Sequence, residues 1–191
     1  MMENEYGFSI HMAIGIVEIL VAGPLVVRML AMRRLRTPLV RRLSKWIAGN
    51  AWLAWLAGTG TMWFWHIPAV HHWAMGMSER HIWWMAVQQL LLLMGGILFS
   101  WPLLGPCRGL RMHPLAGIIY LATACISCSL MGLLITFAPP EVYPGVSPRD
   151  RETAGLIMWV PGCLIYLTGC LLLLRQWLHR QDRPRIVLPK I

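Results

Sequence analysis

The sequence predicts an all-α membrane protein, a polytopic transmembrane helical bundle, and three observations support that prediction. Of the 191 residues, 57% are hydrophobic and only 13% are charged, with a mean hydropathy of +0.56. A soluble domain of this size carries about 25% charged residues, so lipid is the expected solvent. Five apolar runs each approach the roughly 20 residues that cross a bilayer as a helix. Eleven Trp residues fit membrane–water interfaces, where Trp is enriched.

The five apolar runs predict five spans within one integral-membrane domain, residues 1–191. In chain order they lie at about 8–30, 46–66, 82–104, 115–138 and 155–178. Glu3 and Glu5 precede the first run where a signal peptide has a basic segment, so this run is expected to remain as a span. Pro24 and Pro161 interrupt the first and fifth runs and are expected to bend those helices.

The Lys and Arg residues are unevenly distributed between the connections. Fourteen of the 17 lie in the first connection, the third connection and the C-terminal tail, whereas Arg80, Arg149 and Arg151 lie on the other side. Since cytoplasmic connections carry an excess of Lys and Arg, the N-terminus is expected outside and the C-terminus in the cytoplasm. The net charge of +9 does not indicate nucleic acid as a partner, because the basic residues lie between apolar runs.

Histidine and methionine concentrate where the second run ends and the third begins. Met62 and His66 are four residues apart, as are His81 and Met85, so each pair shares one helix face. His66 ends one predicted helix and His81 begins the next, which places both at one membrane depth. Imidazole and thioether groups suit the soft ion Cu(I). The sequence therefore predicts a metal site of His66 and His81 with Met62 or Met85.

Other polar residues near this point allow a second interpretation. His71 and His72 lie in the connection, expected to be a loop, and would form a weak access site for the metal. Gln88 and Gln89 continue the stripe that begins at His81 on the third span. In the alternative interpretation the glutamines bond between helices and the histidines meet water at headgroup level. The residues alone leave both interpretations open.

Two features deeper in the spans are also ambiguous. Glu18 lies well inside the first run, where an ionisable residue is by default a functional candidate. The alternative is a protonated Glu18 bonded to a neighbouring helix. Cys125 and Cys128 form a C-x-x-C in the fourth span, and Cys163 in the fifth is expected at the depth of Cys128. Buried thiols would suit Cu(I) in transit, but packing between helices is the favoured interpretation.

Several motifs that would indicate catalysis are missing from the sequence. There is no Walker loop, no GxGxxG, no Ser/His/Asp arrangement and no pair of catalytic carboxylates. A C-x-x-C-His motif for covalent haem attachment is also missing. The protein is therefore not expected to be an enzyme.

Four segments carry a resemblance to a known family. They are Trp-His-Ile-Pro at 65–68, Gly96 followed by Phe-Ser-Trp-Pro at 99–102, Leu-Leu-Ile-Thr-Phe-Ala-Pro at 133–139, and Asp150 followed by Gly-Leu-Ile-Met-Trp-Val-Pro-Gly at 155–162. Together, across about residues 46–177, they resemble the integral-membrane, CtaG-like cytochrome c oxidase assembly family of bacteria.

The resemblance implies a multi-pass protein of the bacterial inner membrane that is needed for an active haem–copper oxidase. Its implied partners are oxidase subunits and membrane lipid, and its implied role is to help supply copper to the oxidase's buried metal centre. Two other roles remain open: a structural subunit of a terminal oxidase without a metal site, or a haem b electron carrier.

The chain also departs from the family pattern. Family members commonly have about seven spans, and their third span usually presents two His four residues apart. Met85 and Gln89 stand at those two positions here, behind Gln88, whereas His66 and Asp150 match the family pattern.

Overall fold

The computed structural model describes residues 7–33, 37–80 and 82–181, and every regular element in that part of the chain is helical. The all-α prediction is therefore confirmed. The α-helices are α1 (Gly7–Val17), α2 (Gly23–Met32), α3 (Pro38–Gly49), α4 (Ala51–His66), α5 (Pro68–Arg80), α6 (Ile82–Leu104), α7 (Pro114–Thr136) and α8 (Pro148–Gln181). A π-helical segment, Glu18–Ala22, joins α1 to α2, and single 3-10 turns lie at Arg108–Leu110 and Pro140–Val142.

Among the described residues, four helices are long and apolar enough to cross a membrane. They are Gly7–Met32 (α1, the π segment and α2 together), Trp83–Leu104, Pro114–Thr136 and Pro148–Gln181. They correspond to the first, third, fourth and fifth predicted spans. The direction in which these helices cross, predicted from Lys and Arg, stays a prediction.

The predicted second span, 46–66, is not one helix. Helix α3 ends at Gly49 and α4 begins at Ala51, with Asn50 between them at φ −130° and ψ 43°. Asn favours helix caps because its side chain competes for backbone hydrogen bonds. Helix α4 has 16 residues, fewer than the roughly 20 that a span requires, so the five-span prediction is not confirmed.

The connection expected as a loop between the second and third spans is helix α5. Ile67 adopts φ −59° and ψ 126°, the extended form that a residue before proline prefers, and this ends α4. Pro68 then begins α5, where its missing N–H costs nothing. His71 is buried on this helix and His72 is exposed.

Glycines let the helices of the bundle approach closely. The Gly7–Met32 helix packs on α6 at Gly96, where an added Cβ would lie 2.7 Å from the Cα of Ile19. Helices α7 and α8 pack along their length, and a Cβ on Gly132 would lie 2.9 Å from the carbonyl oxygen of Gly155. Helix α1 also packs on α8, and α4 on α6. Small residues at such crossings are characteristic of membrane bundles.

The two ends of the bundle differ in chemistry. At what we call the histidine end, α1 begins, α4 ends and α5 begins. At the basic end lies α3, which buries Ser44 and Ile47 and exposes Arg41, Arg42 and Lys45. Exposed tryptophans mark both ends: Trp46 and Trp52 at the basic end, and Trp73 and Trp83 at the histidine end. This arrangement fits two membrane–water interfaces, with α3 lying in one of them.

Candidate functional site

Three histidines from three helices lie together at the histidine end. The ring centroids of His11 (α1) and His66 (α4) are 6.4 Å apart, and those of His11 and His71 (α5) are 6.2 Å apart. His66 and His71 are each only 7% exposed. The cluster follows from topology, because α1 and α5 begin at the end of the bundle where α4 finishes.

The two ring nitrogens of His66 have different partners. Nδ1 is hydrogen-bonded to the carbonyl oxygen of Met62, one turn earlier on α4, so Nδ1 carries the proton. Nε2 is then unprotonated, and it lies 2.8 Å from the sulfur of Met12. A nitrogen lone pair and a thioether sulfur therefore face each other with no proton between them. Both atoms are potential metal ligands.

Below His66 the bundle encloses a small cavity that we call the sulfur cavity. Its volume is about 10 Å³, enough for one atom-sized guest. Its polarisable lining groups are Met12, Met62, His66, Cys128 and Met158, which come from four helices. The remaining lining is glycine and aliphatic side chains. Thioether, imidazole and thiol groups in an apolar setting suit a soft ion and offer nothing to a hard cation.

Asp150 positions α1, which carries His11 and Met12. Its two carboxylate oxygens accept hydrogen bonds from the backbone N–H groups of Phe8 (2.9 Å) and Ser9 (3.0 Å), and its side chain is only 3% exposed. These N–H groups belong to the first turn of α1, where no intrahelical acceptor exists. A carboxylate there also interacts favourably with the helix dipole. Asp150 therefore fixes the start of α1 against the start of α8.

His71 is held neutral by its surroundings. Its ring packs edge-on against Phe8 (centroids 4.9 Å apart) and Tyr143 (5.8 Å), and Tyr143 donates a hydrogen bond to the carbonyl oxygen of His66 (3.0 Å). Burial, and secondarily the neighbouring imidazoles of His11 and His66, lower the pKa of His71 to about 4. Its imidazole therefore keeps a free lone pair at neutral pH, the form that binds metals.

The comparison with known families is decisive for the role of the chain. The sequence model of a family described as cytochrome c oxidase caa3 assembly factor (Caa3_CtaG) matches residues 2–180. The chain belongs to this family. Comparisons with curated proteins and with solved structures gave no match. The family resemblance drawn from the sequence is thus confirmed. The role of this family is in the assembly of a cytochrome c oxidase. Such a role implies contact with oxidase subunits and suggests a non-catalytic function.

In this assembly factor the residues predicted to form the metal site do not all lie together. Met62 and His66 are both buried and line the sulfur cavity. Met85 is 49% exposed and does not face them, and His81 lies outside the described residues. The inward face of α6 follows Gln88 and Leu92, four residues apart and both buried. Met85 therefore does not line the sulfur cavity, and the metal site predicted at His66 and His81 stays a prediction.

The two residues of the predicted access site, His71 and His72, also lie apart. His71 joins the histidine cluster, whereas His72 is exposed on the other face of α5. A side chain one position further along a helix points about 100° away. His72 therefore does not reach the cluster.

The intramembrane polar residues have distinct surroundings. The side-chain nitrogen of Gln88 lies 3.2 Å from Nε2 of His11 and donates to it, so Gln88 bonds between helices. Within the described residues, Oε1 of Gln89 and Oε2 of Glu18 are buried without hydrogen-bond partners. Glu18 also begins the π-helical segment. That oxygen of Glu18 therefore makes no hydrogen bond to a neighbouring helix, unlike the carboxyl in the second interpretation of Glu18.

Sequence reasoning missed four of the residues that surround His66. They are His11, Met12, Cys128 and Met158, which lie on α1, α7 and α8. His11 and Met12 carried a signal, since they are adjacent near the same end of a span as His66. Cys128 and Met158 carried none for this site, because nothing local shows which helices meet.

The sulfur cavity depends on methionine as a ligand. In the described ranges, no group of three or more His, Cys, Asp and Glu side chains is placed to hold a metal ion. The two metal-ligating residues of those types at the cavity are His66 and Cys128, and the other three donors are thioethers. The arrangement therefore matches ions that accept thioether sulfur and few others.

A wide apolar groove leads from the side of the bundle to His66. It has a volume of about 550 Å³ and lies between α4 and α7, lined by Trp63, Leu134, Phe137 and Tyr143 among others. Leu134 and Phe137 are 61% and 78% exposed, so the groove opens towards the surroundings of the bundle. It therefore opens a lateral path from the surroundings of the bundle to His66.

Proposed function

We propose that this assembly factor receives Cu(I) at the histidine end, holds it in the sulfur cavity and passes it to an oxidase subunit. The observation that supports this most is the pair formed by Nε2 of His66 and the sulfur of Met12, 2.8 Å apart. Two electron-pair donors at this distance, with no proton between them, repel each other when no ion is bound. An ion between them, after a small outward shift of the flexible Met12 side chain, would satisfy both.

The ligand types favour a cargo that must later leave. Met12, Met62 and His66 are neutral ligands, so Cu(I) keeps its single positive charge at this position. Neutral thioethers bind Cu(I) without the charge neutralisation that a thiolate supplies, which keeps the ion exchangeable. A divalent ion in the same apolar setting would have a much larger desolvation cost. The cavity therefore suits transfer of a monovalent soft ion.

The neighbouring residues supply a path into and out of the cavity. His71, on the approach to His66, offers an imidazole ligand to an arriving ion, and His11 can do the same once its Nε2 is released by Gln88. The groove that reaches His66 between α4 and α7 offers a partner lateral contact with the site. If the histidine end faces outside, as the distribution of Lys and Arg predicts, uptake is extracytoplasmic.

The size of the cavity argues against the haem alternative. The sulfur cavity of about 10 Å³ accommodates an atom and not a porphyrin, and the groove of about 550 Å³ has His66 as the single histidine among its lining residues, whereas a haem b carrier of the kind considered uses two. The structural-subunit alternative predicts instead that no residue of the cavity matters for copper. An experiment can separate it from copper transfer.

The test compares His66→Ala and the double variant His66→Ala with Met12→Leu against His72→Ala, whose exposed side chain lies on the next helix. Each variant is expressed in cells that depend on the native protein, and its accumulation in the membrane is measured first. We expect the two cavity variants to lower the copper content of the mature oxidase severalfold, with oxidase polypeptides near normal, and His72→Ala to have no effect. Fully metallated oxidase from the accumulated double variant would refute copper transfer and support a structural role.

A further inference from the structure

We infer that the seam between α7 and α8 carries a second soft-metal site, formed by the thiols of Cys125 and Cys163. Their sulfur atoms are 3.4 Å apart, and the hydroxyl oxygen of Ser129 lies 3.0 Å from the sulfur of Cys163. The sequence predicted Cys163 at the depth of Cys128 and favoured packing for all three thiols. In the structure Cys163 meets Cys125, and this pairing is what gives the seam a ligand pair.

Packing alone does not require sulfur at these positions. Helices α7 and α8 already approach through glycines, and a Cβ on Gly162 would lie 3.0 Å from the sulfur of Cys128. The close contact of α7 with α8 at Gly132 and Gly155 involves neither Cys125 nor Cys163. Instead two thiols from different helices point at each other, and a third, Cys128, lies one turn along α7 from Cys125. Cys128 lines the sulfur cavity, so the thiol pair adjoins it through the helix that they share.

The spacing of the two sulfurs suits a metal better than a disulfide. A disulfide bond is about 2.05 Å long, and all five cysteines of the described chain are free. Two sulfurs that flank a metal with bonds of about 2.3 Å lie roughly 4 Å apart, a small increase from 3.4 Å. Cys125 and Cys163 are half-buried, so a change of side-chain rotamer can supply that increase. Thiolates are preferred ligands of Cu(I).

Binding of Cu(I) here is a ligand and proton exchange without redox change. At least one thiol loses its proton, and one thiolate with Cu(I) is neutral overall, which suits the apolar surroundings. Ser129 currently donates to the carbonyl oxygen of Cys125 (2.8 Å) and accepts from the thiol of Cys163. After deprotonation of Cys163 the Ser129 hydroxyl can rotate and donate to the thiolate. The released proton goes to Nε2 of His66, which is freed when the ion leaves the sulfur cavity, or to buffer when the ion is supplied from solution.

The direction of transfer, though not the binding itself, rests on the proposed function. Affinity rises from neutral thioethers in the sulfur cavity to a thiolate at the seam, so an ion would move from His66 past Cys128 to the pair. Cys125 and Cys163 are each partly exposed at the seam between α7 and α8. A helix of the oxidase in the same bilayer can reach them there.

The experiment uses the full-length protein in detergent, kept reduced and titrated with Cu(I) against a competing Cu(I) chelator. We expect the double variant Cys125→Ser with Cys163→Ser to lose one bound equivalent. The matched control is Cys170→Ser, which lies two turns further along α8 and contacts the carbonyl oxygen of Ile118 instead. It should bind as the wild type does. Unchanged copper binding by the double variant would overturn the inference.

Two further measurements keep the result interpretable. Cu(I) should protect Cys125 and Cys163 of the wild-type protein from alkylation while Cys170 reacts normally, and equal reactivity of all three with Cu(I) present would also overturn the inference. The His66→Ala, Met12→Leu variant should keep the thiol site, seen as sulfur-only coordination by X-ray absorption. If the His66→Ala, Met12→Leu variant binds copper at the seam and the oxidase still receives its copper, the proposed function is refuted and the thiol site is supported.

Discussion

Removal of the Asp150 carboxylate should detach the start of α1 from α8. In Asp150→Ala the N–H groups of Phe8 and Ser9 lose their acceptors. Asp150 is only 3% exposed, so water cannot easily take its place. Hydrogen bonds to a charged group contribute about 1.5 to 3 kcal/mol each. Loss of both hydrogen bonds should therefore lower the free energy of unfolding by at least about 3 kcal/mol, which is twice the smallest value for one such bond.

Asp150→Asn provides a graded comparison. It keeps one carbonyl acceptor and loses the charge, so we expect about half of the alanine effect. Glu152→Gln, at an exposed position two residues along α8, is the matched control and should be neutral. Because α1 also carries His11 and Met12, Asp150→Ala should weaken Cu(I) binding as well.

The assay is denaturant or thermal unfolding in one detergent, combined with hydrogen exchange of the first turn of α1. The amides of Phe8 and Ser9 should exchange much faster in Asp150→Ala than in the wild type. If Asp150→Ala unfolds like Glu152→Gln and those amides remain protected, Asp150 does not hold α1 in place.

Two further predictions concern packing and pH. Gly96→Ala should lower the free energy of unfolding by about 1 to 3 kcal/mol, because the added Cβ would lie 2.7 Å from the Cα of Ile19. Gly49→Ala should leave the free energy of unfolding unchanged, because no atom lies within 4 Å of its added Cβ. Unfolding in detergent measures both, and equal stability of the two variants would contradict the close crossing. Burial lowers the pKa of His71 from 6.5 to about 4. The neutral imidazole therefore contributes its full stabilisation to the fold above pH 6.5, and this contribution is lost as the pH falls to about 4. A pH series of unfolding should show on the order of 3 kcal/mol of this dependence, and His71→Gln, unlike His72→Gln, should remove it.

Local pattern was enough to predict much of the fold and one part of the site. The four spans could be predicted because lipid demands long apolar runs whatever the tertiary structure. The pairing of Met62 with His66 could also be predicted, since residues four apart on a helix share a face. Both inferences depend only on residues close in sequence.

The remaining features depend on contacts between distant segments or on single residues with competing signals. Asn50 divides an apolar run that otherwise resembles a span, where its side-chain nitrogen donates to the carbonyl oxygen of Trp46 at the end of α3. Pro68 is of a residue type that favours the first turn of a helix, whereas the connection after it was expected to be a loop. Met12 and Met158 meet at His66 because α1 packs on α8, and no local pattern encodes that choice of neighbours.

The shortness of α4 has a consequence for the lipid around the site. Its 16 residues span about 24 Å, against about 30 Å for the hydrocarbon core of a typical bilayer. This hydrophobic mismatch is relieved by thinning of the adjacent leaflets or by replacement of lipid with the flanking helices α3 and α5. On either route the low-dielectric layer beside His66 is narrower than elsewhere around the bundle. A cation that approaches His66 from the histidine end therefore crosses less hydrocarbon, and its electrostatic barrier to entry is correspondingly lower.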